Sequence, residues 1–576
     1  MSSASHPAIS DSGLPASAAP ASIITDADLP LQRIYQWEKV RADRVFLTQP
    51  LNGGVREWTW AQAMNEARRV AAWIEAQNWP KESHVVILAK NSAWWIMAEF
   101  AIWMAGHVSV PIFPSLKSES VHALIEHADA VACFVGAVDD LSIHSSGIPR
   151  SVIRIALPNA RETAEASWDS IVESTAPLMD SPTRQADELA TIMYSSGTTG
   201  APKGVMHRFA AFAYFGLAVT RVVGNAGEDR MLSYLPLAHI AERALLEGTA
   251  INCGIHLYFV DKLDTFRADL YRARPTIFFS VPRLLLKFQH GVFEKIPKHK
   301  LETLLRIPVV GGVVRRRVLR QLGLDHVRLA ASGSAALPLS VLDWYRRLGL
   351  NLVEGYGMTE TGISHTPLKG RSRPGFVGDG IPGVETKIAA NGEVLIRSRM
   401  NMMGYYKNFD LTKSSFTEDG FFRTGDMGEL DEGWLRITGR IKEQFKTSKG
   451  KYILPGHIEK LLSVHPSVQS CCVMGEGMAA AFALIVVSPE ALESPEPLER
   501  SLRELLDNVN RQLEAHERLG FLVATDEPWT VANDMLTPTL KHKRSALERR
   551  YSPWFEAWVG QKRTIVWHTT QNHRTF

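Results

Sequence analysis

The chain has 576 residues, of which 45% are hydrophobic and 22% are charged, as in ordinary globular proteins. A single hydrophobic core stops growing well below this length, so we expect more than one domain. The 64 basic residues nearly balance the 61 acidic ones, which leaves a net charge of +3. This balance gives no reason to expect a nucleic-acid partner.

The cysteines and the apolar segments predict the cellular compartment of the protein and its relation to a membrane. Four cysteines without metal-ligand spacing predict a reducing, cytoplasmic compartment. The first 25 residues, rich in Ser, Ala and Pro, are expected to be a disordered lead and not a signal peptide. The most apolar stretch, residues 93–105, is interrupted by Glu99 and is shorter than the roughly 20 residues that span a bilayer. A buried helix capped by Asn91 or Ser92 is predicted there.

A basic run at residues 314–318 reads Val-Arg-Arg-Arg-Val. Such a run is able to contact an acidic surface, although it is more often a solvated helix face. Separately, the short apolar stretch at 93–105 leaves peripheral membrane contact open, and the sequence does not indicate an oligomeric state.

Apolar runs of strand length alternate with amphipathic stretches, such as residues 60–77, along most of the chain. This alternation predicts an α/β architecture with largely parallel sheets. The predicted strands include residues 85–88, 131–135, 152–157, 189–194, 255–260 and 276–280.

The chain changes character near residue 440. Upstream, residues 392–399 and 433–438 read as short strands with Gly turns. Downstream, the runs 468–474 and 480–487 flank Gly-Glu-Gly and predict a hairpin, and a polar helix is predicted over 498–518. We therefore predict a lead at 1–25, a large domain at 26–440, a small α+β domain at 441–551, and a tail at 552–576 with no interpretable motif.

The sharpest motif is Tyr-Ser-Ser-Gly-Thr-Thr-Gly-Ala-Pro-Lys-Gly at residues 194–204. Its glycines permit close backbone approach, and its hydroxyls and lysine offer donors to phosphate oxygens. A Walker A spacing is absent. A polar surface turn is the alternative, but the full string favours a phosphate cradle. The candidate phosphate-binding residues are Ser195, Ser196, Gly197, Thr198, Thr199, Gly200 and Lys203.

This string resembles the phosphate loop of the adenylate-forming superfamily, and other motifs of that superfamily follow in order over roughly residues 30–550. Residues 332–338 resemble its adenine-contacting loop, and residues 354–361 resemble its second nucleotide loop. The resemblance implies that Tyr356 stacks on adenine, that Thr359 contacts the α-phosphate, and that Glu360 holds Mg²⁺ together with Thr199. The implied nucleotide-binding residues of the two loops also include Gly333, Ser334, Ala335, Glu354, Gly355 and Gly357.

Two further motifs complete the resemblance on the nucleotide side. Residues 423–426, Arg-Thr-Gly-Asp, are similar to the ribose loop, which assigns the ribose hydroxyls to Asp426. Arg440 follows at the family spacing and is implied to reach ribose or phosphate. Lys442 matches the hinge about which the small domain turns, with an exposed linker lysine as the alternative.

Near the end of the chain, residues 536–544 resemble the catalytic-lysine loop of long-chain fatty acyl-CoA synthetases. The Lys-x-x-Arg step selects Lys541, although Lys543 and Arg544 lie close by in sequence. An ammonium group there can bridge a carboxylate and the α-phosphate.

Two strings are similar to the long-chain branch in particular, residues 233–243 and 445–453. The first implies that His239 lies where the acyl pocket meets the adenylate. The second implies that Lys449 and Gly450 line the path of coenzyme A, although Lys449 stands where long-chain members usually carry Gly. Ala241 stands where many carry Phe, which leaves chain length open.

The resemblance implies a large α/β N-terminal domain with mostly parallel sheets and a small, mobile α+β C-terminal lid. It implies an acid–thiol ligase that uses ATP and Mg²⁺ to form an acyl-adenylate from a medium- to long-chain fatty acid and passes the acyl group to coenzyme A. Two alternatives stay open: delivery to a carrier protein, and activation of a non-fatty carboxylic acid. A non-catalytic binding protein is disfavoured because all the motif residues are present.

Overall fold

The computed structural model describes residues 24–568 except 52, 161–163, 196–202, 225–226 and 368–371. The predicted lead lies almost wholly outside the described residues. The fold is mixed α/β, as predicted. A large N-terminal domain and a small C-terminal domain have separate hydrophobic cores, as expected for a chain of this length. All four cysteines are buried free thiols. In the described part of the chain, no helix is both long and apolar enough to cross a membrane.

The largest sheet has eight strands, and its centre is parallel. Its inner strands are short apolar runs rich in Val and Ile, the composition expected when helices cover both faces. The predicted strands at residues 85–88, 131–135, 152–157 and 189–194 are confirmed in this sheet. In spatial order its strands are Gly404–Tyr405, Lys203–Arg208, Leu189–Ser195, Val108–Ile112, His84–Leu88, Ala130–Val135, Ile153–Ala156 and Ala166–Ser167.

Two smaller sheets contain the remaining predicted strands of the first half of the chain. One has four strands, of which only the edge pair is antiparallel. The other has three strands and is fully parallel. Their strands are Arg230–Ser233, His256–Phe259, Val45–Leu51 and Gly54–Thr59 in the first, and Ile277–Ser280, Leu329–Ser332 and Leu352–Glu354 in the second.

Residues 356–440 form a seven-stranded antiparallel sheet, which is the exception to the parallel prediction. Two of its strand pairs are joined by short turns with a glycine at positive φ, Gly392 and Gly433, and such turns connect strands antiparallel without a crossover helix. The spatial order is Tyr356–Met358, Gly362–Thr366, Gly378–Gly380, Trp434–Arg440, Phe422–Asp431, Glu393–Ser398 and Val384–Ile388.

The C-terminal domain contains a two-stranded and a four-stranded sheet. The predicted hairpin is confirmed, because Val468–Met474 pairs antiparallel with Phe482–Val487. The predicted helix over 498–518 ends at Asn510, whose side-chain amide bonds both backbone groups of Leu519 and closes a turn. Part of the uninterpreted tail is structural, since it supplies the fourth strand of the larger sheet. The other strands are Phe445–Lys446, Tyr452–Ile453, Leu522–Thr525 and Ile565–His568.

The predicted buried helix is confirmed over Ala93–Met104, and Ser92 Oγ caps it by accepting from Trp95 N at 3.2 Å. Glu99 interrupts its apolar sequence because its carboxylate pairs with the buried Arg243 guanidinium. The other α-helices are Pro30–Val40, Trp60–Ala76, Ser118–His127, Trp168–Ser174, Phe209–Val223, Ile240–Glu242, Gly248–Cys253, Phe266–Ala273, Pro282–Lys295, Lys298–Arg306, Val310–Gln321, Leu339–Arg347, Phe409–Ser414, Pro455–Leu462, Pro489–Leu492, Pro495–Asn510, Arg544–Tyr551 and Phe555–Gly560.

Candidate active site

A cavity of about 1430 Å³ lies between the two domains. Its walls come from all four sheets of the N-terminal domain and from several segments of the C-terminal domain, so residues distant in sequence meet there. Most of the predicted site residues that the structure describes line this cavity. They are Ser195, Lys203, His239, Gly333, Ser334, Gly355, Tyr356, Gly357, Thr359, Glu360, Asp426, Arg440, Lys442 and Lys541.

The phosphate-loop prediction falls mainly on residues that the structure does not describe. Ser196, Gly197, Thr198, Thr199 and Gly200 lie outside the described residues, so Thr199 also lies outside as a metal ligand. The two ends of the turn are described. Ser195 and Lys203 are register partners on adjacent antiparallel strands, and both line the cavity. The intervening turn therefore begins and ends at the cavity wall.

Tyr356, Asp426 and Arg440 form a hydrogen-bonded cluster at the cavity. Asp426 and Arg440 are register partners on adjacent antiparallel strands, with Arg440 Nε 2.9 Å from Asp426 Oδ1. Tyr356 OH donates to Asp426 Oδ2 at 2.7 Å. Each oxygen of the buried carboxylate thus has its own donor, which fixes the plane of the carboxylate.

The segment 357–360 is held by contacts from two other strands. A Cβ on Gly357 would lie 2.0 Å from the Gly362 carbonyl oxygen, so only glycine fits there. Tyr405 OH donates to Glu360 Oε1 at 2.9 Å. His207 Nε2 lies 2.7 Å from the Thr359 carbonyl oxygen. These contacts fix the backbone at Thr359 and the direction of the Glu360 carboxylate.

The predicted adenine loop at residues 332–338 is hydrogen-bonded to the side chain of Glu354. Ser334 has a φ of 68°, and a Cβ on Gly333 would lie 3.3 Å from the Gly355 carbonyl oxygen, so the loop packs closely against backbone. Leu337 N donates to Glu354 Oε1 at 3.0 Å, and burial raises the pKa of Glu354. Glu354 and Ala335 line the neighbouring interdomain cleft and not the cavity itself. The Glu354 side chain therefore braces the loop.

Lys541 enters the cavity from a tight loop of the C-terminal domain. Thr537 Oγ1 accepts from Lys541 N at 3.0 Å, and Thr537 N donates to the Lys541 carbonyl at 2.8 Å. Burial, and then the Arg440 charge, lowers the pKa of Lys541. The carboxylates of Asp426, Glu360 and Glu443, which line the same cavity, act in the opposite direction.

The other two cations of this loop also line the cavity, but both are already paired with acidic side chains. Lys543 Nζ pairs with Asp534 Oδ1 at 2.5 Å. Arg544 donates to the Val473 carbonyl at 2.9 Å and pairs with Glu459, so it braces the C-terminal domain. Among the described residues Lys541 makes no ion pair, and it is the cation of the three that is free to meet a ligand in the cavity.

His239 also lines this cavity. Its Nδ1 accepts from Ala241 N at 3.2 Å, which puts the proton of the neutral ring on Nε2. Burial, followed by the charge of Lys541, lowers the pKa of His239 to about 3, so the ring is neutral in ordinary buffers. The cavity also has an apolar wall, formed by the aliphatic and aromatic residues Val219, Val222, Val223, Ala241, Leu245, Ile277, Phe279, Leu329 and Ile363.

The hinge and coenzyme A predictions fall on the strands that open the C-terminal domain. Lys442 lies in the single turn Ile441–Glu443 and lines the cavity. Lys449 and Gly450 lie in an exposed turn between two short strands and line neither the cavity nor the cleft. The structure therefore does not bring this pair to the other site residues.

Models of known protein families match most of the chain. The model described as AMP-binding enzyme matches residues 34–406, and the AMP-binding enzyme C-terminal domain matches residues 442–552. The chain belongs to the AMP-binding enzyme family.

Relatives of this AMP-binding enzyme carry related names. A long-chain-fatty-acid–CoA ligase of Mycobacterium bovis is 28% identical, over 91% of this chain and 96% of the relative. The peroxisomal long chain acyl-CoA synthetase 6 of Arabidopsis thaliana is 29% identical, over 85% and 80%. A putative fatty-acid–CoA ligase of Mycobacterium tuberculosis is 30% identical, over 65% and 74%. The first two alignments span both domains of this AMP-binding enzyme.

Solved structures share the fold of this AMP-binding enzyme. The A domain of a carboxylic acid reductase from Segniliparus rugosus, in complex with AMP and a carboxylic acid, has a TM-score of 0.77 at 21% identity and covers 92% of this chain and 94% of its own. An anthranilate CoA ligase in complex with anthranoyl-AMP has a TM-score of 0.76 at 22% identity, with 92% and 99% covered. At these identities the likeness shows the fold.

Two side chains that position the site of this AMP-binding enzyme were not predicted from the sequence. Tyr405 holds Glu360, and His207 holds the Thr359 carbonyl. A partial signal existed for His207, a buried polar residue that directly follows the apolar pair Val205 and Met206 in the strand Lys203–Arg208. Tyr405 carried no motif, because its role arises only from the folding of its strand beside residues 203–208.

Proposed function

We propose that the protein uses ATP to activate a fatty acid as acyl-AMP and then transfers the acyl group to coenzyme A. The observation that carries this proposal is the position of Lys541, a half-buried cation of the C-terminal domain, at the cavity that the Tyr356–Asp426–Arg440 cluster and His239 also line. Polar groups suited to a nucleotide and an apolar cavity suited to a chain thus meet at one unpaired ammonium group.

The nucleotide would lie along the polar wall. The loop at 333–335 and the ring of Tyr356 suit adenine, and the Asp426 carboxylate suits the two ribose hydroxyls. Arg440 would reach the ribose or a phosphate, and Lys203 with the turn after Ser195 would hold the β- and γ-phosphates. Four buried free thiols fit the reducing, cytoplasmic setting that we propose.

Glu360 fits the Mg²⁺ that ATP chemistry requires. It presents a carboxylate at the cavity, and Tyr405 occupies only one of its oxygens. Mg²⁺ is typically held by one or two carboxylates together with phosphate oxygens and water. When bound, Mg²⁺ neutralises phosphate charge.

In the first half-reaction, a carboxylate oxygen of the fatty acid would attack the α-phosphorus of ATP. The bond from that phosphorus to the bridging oxygen breaks, and pyrophosphate leaves with the electron pair. Lys541 and the Thr359 segment would stabilise the charge that develops on the phosphate oxygens, and the cavity would align the reactants.

The apolar wall of the cavity supports a fatty acid over a polar acid. The described residues of this wall offer no charged partner for a second carboxylate or an amino group, whereas a long chain would bury apolar surface there. The neutral His239 ring would face the junction without a charge. The names of the relatives in the mycobacteria and in Arabidopsis thaliana support the same acid class.

In the second half-reaction, the C-terminal domain would turn about Lys442 and withdraw Lys541. The same motion would bring the exposed turn of Lys449 and Gly450 toward the cavity as one wall of the thiol path. The coenzyme A sulfur would attack the acyl carbonyl carbon, the bond from that carbon to the phosphate oxygen breaks, and AMP leaves. The thiol proton passes to solvent.

An acid panel tests the proposal. Acids from acetate to palmitate, with aromatic acids included, are scored for AMP release with and without coenzyme A. Medium to long fatty acids should give the highest coenzyme A-dependent release. Activity confined to aromatic or amino acids contradicts the acid class. If acyl-AMP accumulates in the presence of coenzyme A and is consumed only by a carrier protein, coenzyme A is not the acyl acceptor.

A further inference from the structure

A basic helical hairpin, formed by the helices Lys298–Arg306 and Val310–Gln321, lies outside the site described above. A Cβ on Gly311 would lie 2.6 Å from the Leu305 carbonyl oxygen, so the two helices pack closely where they meet. Leu301, Leu305 and Val318 are buried on the inner side of the hairpin. The outer side is open.

The tip of this hairpin exposes an unusual amount of aliphatic surface. The exposed fractions are 42% for Ile307, 84% for Val309, 41% for Val310 and 65% for Val313. Single exposed aliphatic residues are common, but a contiguous group indicates a surface that something covers. These four residues are called the aliphatic tip.

The aliphatic tip is surrounded by positive charge. Residues 295–320 contain eight Lys and Arg residues and one acidic residue, Glu302, a net charge of +7 in a chain whose total is +3. Val313, Arg316, Arg317 and Arg320 are spaced i, i+3, i+4 and i+7, so they share one exposed helix face. Within the described residues, neither Arg316 nor Arg317 makes an ion pair.

We propose that this hairpin docks the protein on an anionic membrane surface. Aliphatic side chains ringed by long cationic ones supply the two attractions that hold proteins at a lipid surface, insertion among acyl chains and pairing with anionic headgroups. A nucleic acid would use the charge but would leave the aliphatic tip in water. The inference does not depend on the proposed reaction.

The hairpin also forms part of the rim of the interdomain cleft. Lys298, Glu302 and Leu305 line this cleft, which continues to Glu354 and Lys541. A hairpin docked on a membrane would therefore hold the opening of the cleft close to the lipid surface.

Flotation of the full-length protein with lipid vesicles tests the proposal. The vesicles are phosphatidylcholine alone, or phosphatidylcholine and phosphatidylglycerol in equal parts. The first variant is Val309→Asp with Val313→Asp. The fold tolerates both changes, because Val309 has a φ of 66°, which Asp accepts better than Val, and Val313 lies in the first turns of its helix, where an acid is favourable. The second variant is Arg316→Gln with Arg317→Gln.

The wild-type protein should float with the anionic vesicles. The Asp variant should lose flotation, and the Gln variant should bind roughly 25-fold more weakly, about five-fold for each arginine near an anionic surface. Two controls make the same changes at other exposed positions: Val40→Asp, and Arg500→Gln with Arg518→Gln. Both should float like the wild type, and all variants should keep their activity on a soluble acid.

Absence of wild-type flotation overturns the proposal, and so does equal flotation of the hairpin variants and their controls. Equal binding to the neutral and anionic vesicles contradicts the proposal that the membrane surface must be anionic. If the protein fails to float but dimerises with concentration, and Val309→Asp with Val313→Asp abolishes that dimer, the membrane is excluded and the aliphatic tip belongs to a second copy of this chain.

Discussion

The two parts of the candidate site are held in place by different contacts. The cluster of Tyr356, Asp426 and Arg440 is joined by hydrogen bonds within the N-terminal side of the hinge. The loop of Lys541 is fixed by bonds to Thr537 within the C-terminal domain, and Lys541 makes no ion pair with any described residue of the cluster. The first part can stay assembled when the domains separate. The second can leave as an intact unit, which suits a cation needed in only one of two steps.

The largest effect is expected for Lys541→Ala. Removing one group that stabilises transition-state charge typically lowers the rate by about 100- to 1000-fold. The overall rate of acyl-CoA formation, measured as coenzyme A-dependent AMP release, should fall by that factor. Lys543→Ala is the control, because Lys543 also lies at the cavity wall but its ammonium group is already paired with Asp534, and the variant should stay within about two-fold of the wild type. A larger loss for the control would move the assignment to Lys543.

Asp426→Asn tests the cluster of Tyr356, Asp426 and Arg440. The amide keeps the shape of the side chain but removes the negative charge that Tyr356 and Arg440 contact. This loss should weaken transition-state binding by about 1.5–3 kcal/mol, which lowers kcat/KM for ATP by roughly 10-fold to somewhat more than 100-fold. Asp431→Asn, at the exposed end of the same strand, is the matched control and should be nearly neutral. An unchanged kcat/KM in Asp426→Asn would remove this cluster from the nucleotide site.

Tyr405→Phe tests whether Glu360 is positioned by its neighbour. The change removes the hydrogen bond to the carboxylate, so half-maximal activity should need about ten-fold more Mg²⁺. Tyr406→Phe is the control, since Tyr406 OH donates to Asp129 away from Glu360. A Mg²⁺ titration that does not distinguish the two variants would argue against Glu360 as the ligand.

The smallest effect concerns pH. Burial keeps the pKa of His239 at about 3, so His239 should give no limb to the pH profile in the neutral range. Protonated Lys541 is needed and burial lowers its pKa, so activity should fall as pH rises through a value below the ordinary ~10.4 of lysine. Lys541→Arg should move this alkaline limb upward. An alkaline limb that stays in place in Lys541→Arg would belong to another group.

The sequence predicted correctly those helices and strands that are determined by residues close together in the chain. The helix Ala93–Met104 and the hairpin around residues 475–481 follow from apolar runs and turn residues close by. The end of the helix Pro495–Asn510 was predicted wrongly, because the turn that stops it depends on the contact of Asn510 with Leu519. The antiparallel order over residues 356–440 was not predicted, since short strands carry little information about their partners.

The same limit applies to the site. Motif residues such as Tyr356, Asp426 and Lys541 line one cavity in the structure, and their roles stay predictions. Contacts between distant segments had no local signature. Tyr405 lies 45 residues from Glu360, and His207 lies 152 residues from Thr359, so neither partner could be chosen before the sheets were assembled.

Separate assays of the two half-reactions in Lys541→Ala test the central claim most directly. The first is acyl-AMP formation from ATP and a fatty acid, and the second is acyl transfer to coenzyme A from acyl-AMP supplied ready-made. If Lys541 serves only the first step, acyl-AMP formation should fall by about 100-fold or more while acyl transfer stays within a few-fold of the wild type. An equal loss in both assays, or no loss in the first, would contradict the account.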